Sequence, residues 1–133
     1  MAVNIDWFDE NHVIFMQFQE FITIDDLVEA SYNGHAMSIL GDPPVHILVD
    51  ARKAKTFPMN AKQMSERLPE HPAPDRVGWV LVVTPDNVLM RIITALFTHF
   101  EIMRGKFRLF TDMPSALEFL REQDSRLNQP PIP

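Results

Sequence analysis

The stretch Val77–Val83, VGWVLVV, decides the fold class of this chain. Every residue in it except Gly78 is apolar, and it is short enough to form a single strand. Because polar and apolar residues do not alternate, both faces of this strand must be covered. Strands of this kind belong to parallel sheets flanked by helices. The stretch therefore predicts an α/β fold.

The segments around this strand alternate between strand and helix patterns. VNIDWF (3–8) and HVIFMQFQ (12–19) predict an antiparallel hairpin. TIDDLVEASYNGHAMSIL (23–40) predicts a helix capped by Thr23 and Asp26, and Gly34 within it indicates a close packing contact. Further elements are a strand at 45–49, a short helix after Asn60, a strand at 107–110 and a helix capped by Asp112. The order ββαβαβαβα predicts a single mixed, mostly parallel sheet of about five strands.

The chain of 133 residues fits one domain. We assign residues 1–124 to that domain and residues 125–133 to a proline-rich C-terminal tail. The absence of cysteine excludes disulfides, thiolate metal sites and cysteine nucleophiles, and it is compatible with a reducing cytoplasm. The sequence starts without a signal-peptide pattern, and no run approaches the roughly 20 apolar residues of a membrane span. We therefore expect a cytoplasmic protein.

Charge is distributed unevenly along the chain. The formal net charge is -6, and residues 1–50 contain no Lys or Arg, so all 12 bases lie beyond them. An acidic protein is a poor partner for nucleic acid, whose binding depends on neutralising phosphates. If the two halves fold into opposite surfaces, two copies attract each other, which predicts a homodimer or other homo-oligomer. The alternative is that both surfaces are simply solvated.

The C-terminal stretch FRLFTDMPSALEFLRE (107–122) resembles the end of SpoIIAA-like proteins, which are related to the STAS domains of anti-sigma-factor antagonists. Such proteins end with a short strand into a phenylalanine, an aspartate cap and a helix with an Ala-Leu-aromatic-Leu pattern. The residues that match here are Phe110, Asp112, Ala116, Leu117, Phe119 and Leu120. The likeness covers residues 3–122 and includes ILVD (47–50). It implies the SpoIIAA-like fold and a bacterial-type regulatory domain that binds a partner.

In the switching members of that family, a serine at the start of the helix after the third strand is phosphorylated, and the added charge releases the partner. The corresponding residues here are FPMN (57–60), which carry no hydroxyl. Thr56 is the nearest hydroxyl, and its use requires a shift in register. The resemblance therefore implies a regulatory domain without the usual phosphorylatable serine.

One candidate binding site lies after the strand ILVD, which we predict to end at Asp50. Open α/β sheets bind ligands at the carboxyl ends of their parallel strands. A predicted loop there carries basic side chains ahead of a helix start, and such groups bind anions. The candidate anion- or ligand-binding residues are Asp50, Arg52, Lys53, Lys55 and Asn60. They favour an alternative function as a small-anion receptor or enzyme, unless Asp50 pairs locally and the bases face water.

Other chemical motifs are absent from the sequence. The five histidines show no metal-ligand spacing, no serine lies in a GxSxG elbow, and the four glycines are scattered singly. We predict no catalytic residue, no metal and no cofactor. Whether the protein is an enzyme stays open, and a non-enzymatic domain is favoured.

A second candidate surface lies on the helix predicted over Val88–Arg104. Its apolar residues span about 240° of the helix, whereas contact with a sheet needs little more than 100°. Neighbouring helices, a second subunit, another protein or a lipid-like small molecule can cover the excess. The candidate apolar contact residues are Met90, Ile93, Phe97 and Phe100.

Overall fold

A five-stranded sheet organises the residues that the computed structural model describes, which are 3–58, 60–85, 87, 88, 90, 91 and 106–128. The strands lie in the order β1-β2-β3-β4-β5. They are β1 (Val3–Asp9), β2 (Val13–Phe21), β3 (Val45–Thr56), β4 (Val77–Val83) and β5 (Phe107–Phe110). β1 pairs with β2 in antiparallel register, and every other neighbouring pair is parallel. The predicted single mixed, mostly parallel sheet is confirmed.

Three α-helices have both ends within the described residues: α1 (Ile24–Leu40), α2 (Ala61–Arg67) and α3 (Met113–Gln123). The predicted caps form, since Thr23 and Asp26 make a reciprocal capping box and Asp112 accepts a bond from the Ser115 amide. Of the helix predicted over Val88–Arg104, only residues 88, 90 and 91 are described, and they are helical. The rest of that prediction lies outside the described residues.

Helices cover the sheet on both faces. On one face, Ala30 and Leu27 of α1 pack in a cluster that includes Val82 of β4. On the other face, α3 packs against Leu81 and Val83 of β4. Successive side chains of β4 thus enter opposite cores, which is the reason for its continuous apolar sequence.

β3 corrects one prediction. Asp50 pairs with Gln17 of β2 and with Val83 of β4, and β3 then continues to Thr56 alongside β2. The prediction that this strand ends at Asp50 and leads into a basic loop was therefore wrong. The strand extends because β2 is long enough to pair with it as far as Phe21, while the basic side chains occupy exposed positions.

Residues 125–128, which the sequence analysis assigns to the tail, form a 3-10 turn after α3. Leu127 packs against the core on the α3 side, and Arg126 binds groups near the start of β3. Residues 126 and 127 therefore contact the packed part of the chain. Residues 129–133 lie outside the described part of the chain.

Candidate functional site

Asp50 is paired locally with Arg52, two residues along the same strand. The side chain of Asp50 is buried, and Arg52 donates to it from Nε at 2.9 Å, from Nη2 at 2.8 Å and from the backbone amide at 3.1 Å. These hydrogen bonds from Arg52 hold the pKa of Asp50 below its usual value despite the burial of the carboxylate. The guanidinium is thus already bound to a carboxylate.

The other members of the candidate anion site have separate roles. Lys55 forms an ion pair with Glu20 at 2.9 Å, and its ammonium lies 5.8 Å from the centre of the Phe21 ring. The side chain of Asn60 caps α2 by accepting the Gln63 amide at 2.9 Å, which was predicted. Lys53 is exposed on β3. The structure therefore brings Asp50 and Arg52 into contact, while Lys55 and Asn60 are held by other partners.

The predicted apolar contact surface lies largely outside the described residues. Met90 is described and is partly buried. Ile93, Phe97 and Phe100 are among the residues that the structure does not describe. This surface stays a prediction.

A buried polar cluster of His46, Asp124 and Arg126 was not predicted. Nε2 of His46 lies 2.9 Å from Oδ2 of Asp124, and Nδ1 accepts the backbone amide of Trp79 at 2.9 Å. Because Nδ1 is an acceptor, the single ring proton is on Nε2 and is donated to Asp124. Burial lowers the pKa of His46, although the bond to Asp124 acts in the opposite direction.

Arg126 completes this His46 cluster. It donates from Nε and Nη2 to Asp124, with the Nη2 bond at 2.7 Å, and these bonds hold the pKa of Asp124 far below its usual value. Its Nη1 also donates to the Asp42 carbonyl at 3.0 Å, and Nη2 to the Pro44 carbonyl at 2.6 Å. The cluster therefore ties the last described turn of the chain to the segment before β3.

Local pairing of Asp50 was one of the predicted alternatives, whereas the Asp124–Arg126 pair was missed although the sequence carries the same signal for it. Asp50-Ala51-Arg52 and Asp124-Ser125-Arg126 share the pattern Asp-X-Arg, and in each the arginine binds the aspartate through its side chain and its backbone amide. The spacing lets an arginine fold back onto a carboxylate two residues earlier. The Asp-X-Arg pattern does not indicate that His46 also binds Asp124.

A second unpredicted arrangement joins Ser38 of α1 to His71. Both side chains are buried, with Oγ of Ser38 2.5 Å from Nε2 of His71. Nδ1 of His71 accepts the Ala73 amide at 2.8 Å, so the ring proton is on Nε2 and points at the serine. The serine in turn donates to the carbonyl of His35 at 2.8 Å. A histidine that donates to the serine cannot accept its proton, so this pair is arranged for structure and not for nucleophilic attack.

Arg76 closes the C-terminal end of α1, whose last turn contains no basic residue of its own. Its guanidinium donates to the carbonyls of Ser38 at 3.4 Å, Ile39 at 3.0 Å and Gly41 at 2.7 Å. A cation at this end stabilises the helix by satisfying carbonyls that have no partner within it. Burial and the nearby Arg76 both lower the pKa of His71.

Within the described ranges, no three His, Cys, Asp or Glu side chains are grouped to hold a metal ion. Among those same residues, no helix has the length and apolar character needed to cross a membrane.

Comparison with solved structures finds a similar crystal structure, that of an uncharacterised DUF3478-family protein from Shewanella loihica PV-4 with a SpoIIAA-like fold. The TM-score is 0.58 at 15% sequence identity, over 90% of this chain and 92% of that chain. This chain has a SpoIIAA-like fold. The resemblance seen in its C-terminal sequence is thereby confirmed at the level of the fold. No protein-family model and no curated protein matches the sequence.

Two buried glycines of this SpoIIAA-like domain provide a matched test of the His46 cluster. A Cβ on Gly78 would lie 2.4 Å from Nδ1 of His46, whose ring is fixed at both nitrogens, whereas a Cβ on Gly34 would meet only the terminal methyl of Met16. We expect Gly78→Ala to destabilise the domain by about 2 kcal/mol or more. Gly34→Ala should be close to neutral, because a gain in helix propensity of about 1 kcal/mol offsets movement of the methyl group.

Urea denaturation of the two variants measures both effects. Equal stability of Gly78→Ala and the unchanged protein would contradict the fixed position assigned to the His46 ring.

The buried histidines predict a loss of stability in mild acid. The pKa values of His46, His71 and His35 are lowered from 6.5 in the folded state. Below pH 6.5 the unfolded chain therefore binds protons that the folded chain does not. Stability is full above that pH and decreases as the pH falls towards the lowered values, by at most about 1.4 kcal/mol per pH unit for each histidine.

Denaturation at pH values of about 7.5, 6.5, 5.5 and 5.0, which span the ordinary histidine pKa, checks this, with the histidine ring protons followed by NMR. The carboxylates of Asp50 and Asp124 have lowered pKa values and lose their contribution only below 3.8, which separates the two effects. A free energy of unfolding that stays constant from about pH 7.5 to 5.0 would refute the assignment of neutral rings to these histidines.

Proposed function

We propose that this protein is a small non-enzymatic regulatory domain that binds partners and self-associates, without the phosphorylatable serine of switching SpoIIAA-like proteins. The observation that carries the proposal is an apolar stripe on the outer face of α1. It consists of Tyr32, Ala36, Ile39 and Leu40, all exposed. We call it the outer stripe.

The outer stripe has the apolar spacing of a buried helix face, but it lies on the side of α1 that points away from the sheet. Its residues are spaced i, i+4, i+7 and i+8, and Tyr32, Ile39 and Leu40 are 60%, 47% and 78% exposed. The inner face is covered separately by Ala30, Gly34 and Ser38. A contiguous exposed apolar surface of this kind is typical of a contact with another protein.

The polar side chains support a non-enzymatic role. Asp50, Asp124, Ser38, His46 and His71 each have a hydrogen-bonded partner within the chain. In the described ranges, no buried side-chain nitrogen or oxygen lacks a partner. A general base or nucleophile needs a free lone pair directed at a substrate, and these groups direct theirs at each other.

The uneven charge of the sequence does not by itself supply two opposite surfaces, because Lys55 pairs with Glu20 and Arg67 pairs with Asp25 within the chain. Self-association is therefore proposed through the outer stripe. We further propose a cytoplasmic location, which a chain without cysteine fits. The lipid-binding alternative depends on the apolar surface around Phe97, which lies outside the described residues. The outer stripe is therefore the better supported contact surface.

The outer stripe predicts concentration-dependent association that a single substitution weakens. Burying Leu40 in an interface contributes about 1.5–3 kcal/mol, so Leu40→Lys should weaken self-association by about tenfold or more. A lysine at this position lies at the C-terminal end of α1, where a positive charge does not disturb the helix. Sedimentation velocity over a concentration series measures the change.

Phe21→Lys is the matched control, because Phe21 is 62% exposed at the end of β2, ahead of the first turn of α1 and outside the outer stripe. It should leave association unchanged. A protein that stays monomeric at millimolar concentration, or one that both substitutions affect equally, would contradict the role of the outer stripe.

The anion-receptor alternative predicts that small anions raise the melting temperature, whereas the pairing of Asp50 with Arg52 predicts that they do not. We expect phosphate, sulfate and small carboxylates to leave the melting temperature unchanged, because the guanidinium is already bound. Arg52→Ala should lower the free energy of unfolding by about 1 kcal/mol or more, since it removes both side-chain donors from a buried carboxylate and leaves only the backbone amide. Lys53→Ala, at an exposed neighbour, should have little effect. An anion-dependent rise in melting temperature that Arg52→Ala removes would favour the receptor instead.

A further inference from the structure

An open groove of about 610 Å³ lies between the outermost strand β1 and the N-terminal half of α1. Val3, Ile5 and Ala30 form its apolar part, and Asp26, Glu29 and Asn33 of α1 form one polar wall. We call it the β1–α1 groove. It takes no part in the polar clusters or the outer stripe described above.

β1 presents backbone hydrogen-bonding groups to this groove. It pairs with β2 on one side and is the edge of the sheet among the described strands. The amide of Trp7 donates to the carboxylate of Asp6 at 2.7 Å instead of to β2, so it points to the outer edge. Backbone groups alternate in direction along a strand, which places those of Val3 and Ile5 on the same outer edge.

Asp6 also sets the length of the open edge. Its carboxylate accepts the outward-pointing amide of Trp7, so that amide is not available to another strand. An acidic side chain on an edge strand also opposes further strand pairing there. The half of β1 beside the groove has no such cover among the described residues. An incoming strand can therefore pair along Val3–Ile5 and no further.

The wall of the groove that α1 provides is acidic and has unused polar groups. Glu29 and Asn33 are exposed, and within the described residues neither side chain makes a hydrogen bond or an ion pair. Asp26 uses Oδ2 to cap α1 through the Thr23 amide at 2.8 Å. No Lys or Arg occurs in residues 1–50, so neither β1 nor α1 supplies a neutralising base, and Arg67 of α2 pairs with Asp25 outside the groove.

We propose that the β1–α1 groove binds a basic peptide segment of a partner protein in extended conformation, as an additional strand on β1. Main-chain hydrogen bonds to Val3 and Ile5 align the peptide, and alternate side chains then point towards the sheet face and away from it. Lys or Arg side chains pair with Glu29 and Asp26, and small apolar ones contact Ala30. This inference rests on the proposed partner-binding function and names the chemistry of one partner.

Charge selects this occupant over a second copy that pairs β1 with β1. A two-fold axis along that edge would bring Asp6, Asp26 and Glu29 of both copies together, and like charges at an interface oppose association. The same acidic wall disfavours a nucleic acid. An extended strand with bases at alternate positions satisfies both the open backbone edge and the acidic wall.

The test titrates the isotope-labelled protein with a hexapeptide of alternating lysine and valine, capped at both ends, and follows backbone amide signals by NMR. A peptide of alternating glutamate and valine is the charge control. We expect the basic peptide alone to shift the amides of residues 3–5 and 26–33. Its affinity should fall with added salt, because the pairs with Asp26 and Glu29 are exposed.

Two charge-reversal variants separate the groove from general electrostatic attraction. Glu29→Lys should weaken binding of the basic peptide by about tenfold. Glu118→Lys makes the same change of net charge at an exposed position on α3, across the sheet from α1, and should leave affinity nearly unchanged. If Glu29→Lys does not fold, as judged by circular dichroism, Glu29→Gln provides the same comparison with a smaller expected effect.

Strand addition itself is tested with two basic peptides that are N-methylated at alternate residues. One is methylated at the odd-numbered positions and the other at the even-numbered positions. One of them should lose binding, because its donors to β1 are removed while its charge is kept. Equal binding of both peptides, amide shifts confined to other surfaces, or no binding at millimolar peptide would overturn the inference. Loss of self-association in Glu29→Lys would assign the groove to a second copy and would also overturn it.

Failure of this inference can be distinguished from failure of the proposed function. Self-association is measured through Leu40→Lys, on the outer stripe, without any peptide. A failed peptide titration with intact self-association rejects the groove and leaves the regulatory domain as proposed.

Discussion

The imidazole of His46 lies where three parts of the chain meet, and the rest of the structure depends on its two hydrogen bonds. One nitrogen accepts the backbone amide of Trp79 on β4, and the other donates to Asp124 after α3. Since His46 itself lies on β3, the ring links two neighbouring strands and the end of the last helix. Gly78 is required beside it because a side chain there would occupy the position of the ring. Arg126 then fixes the carboxylate and the segment before β3.

The architecture could be predicted from the sequence because its signals are local. The uninterrupted apolar run of β4 indicates a strand with two covered faces, and Leu81 and Val82 do enter opposite cores. Helix caps are equally local, since the capping residue and the amide that it accepts are three residues apart. The end of β3 was not predictable in this way. Its length depends on the extent of β2, which only the pairing of the two strands reveals.

The candidate site, unlike the fold, could be predicted only in small part from local signals in the sequence. Asp50 and Arg52, two residues of the candidate anion site, bind each other, which is the predicted alternative of local pairing. The clusters that the sequence analysis missed join residues that are far apart, with His46 and Asp124 separated by 78 positions and Ser38 and His71 by 33. Residue type gives no indication of such partners, because a buried histidine looks the same in a sequence whether it binds a metal, a substrate or a carboxylate. The only local signal was the repeated Asp-X-Arg pattern, which indicates that Arg126 binds Asp124.

The position of Asp124 and Arg126 directly after α3, the last described helix, bears on how the domain is made. Proteins are synthesised from the N-terminus at about 5–20 residues per second, and a domain completes its fold when its last contributing segment becomes available. While the ribosome still holds the C-terminal turn, His46 has no carboxylate to receive its proton, and the segment before β3 lacks its guanidinium. We infer that the nascent chain can form its hairpin and α1 early. The centre of the sheet closes only after the segment that contains Asp124 and Arg126 has left the ribosome.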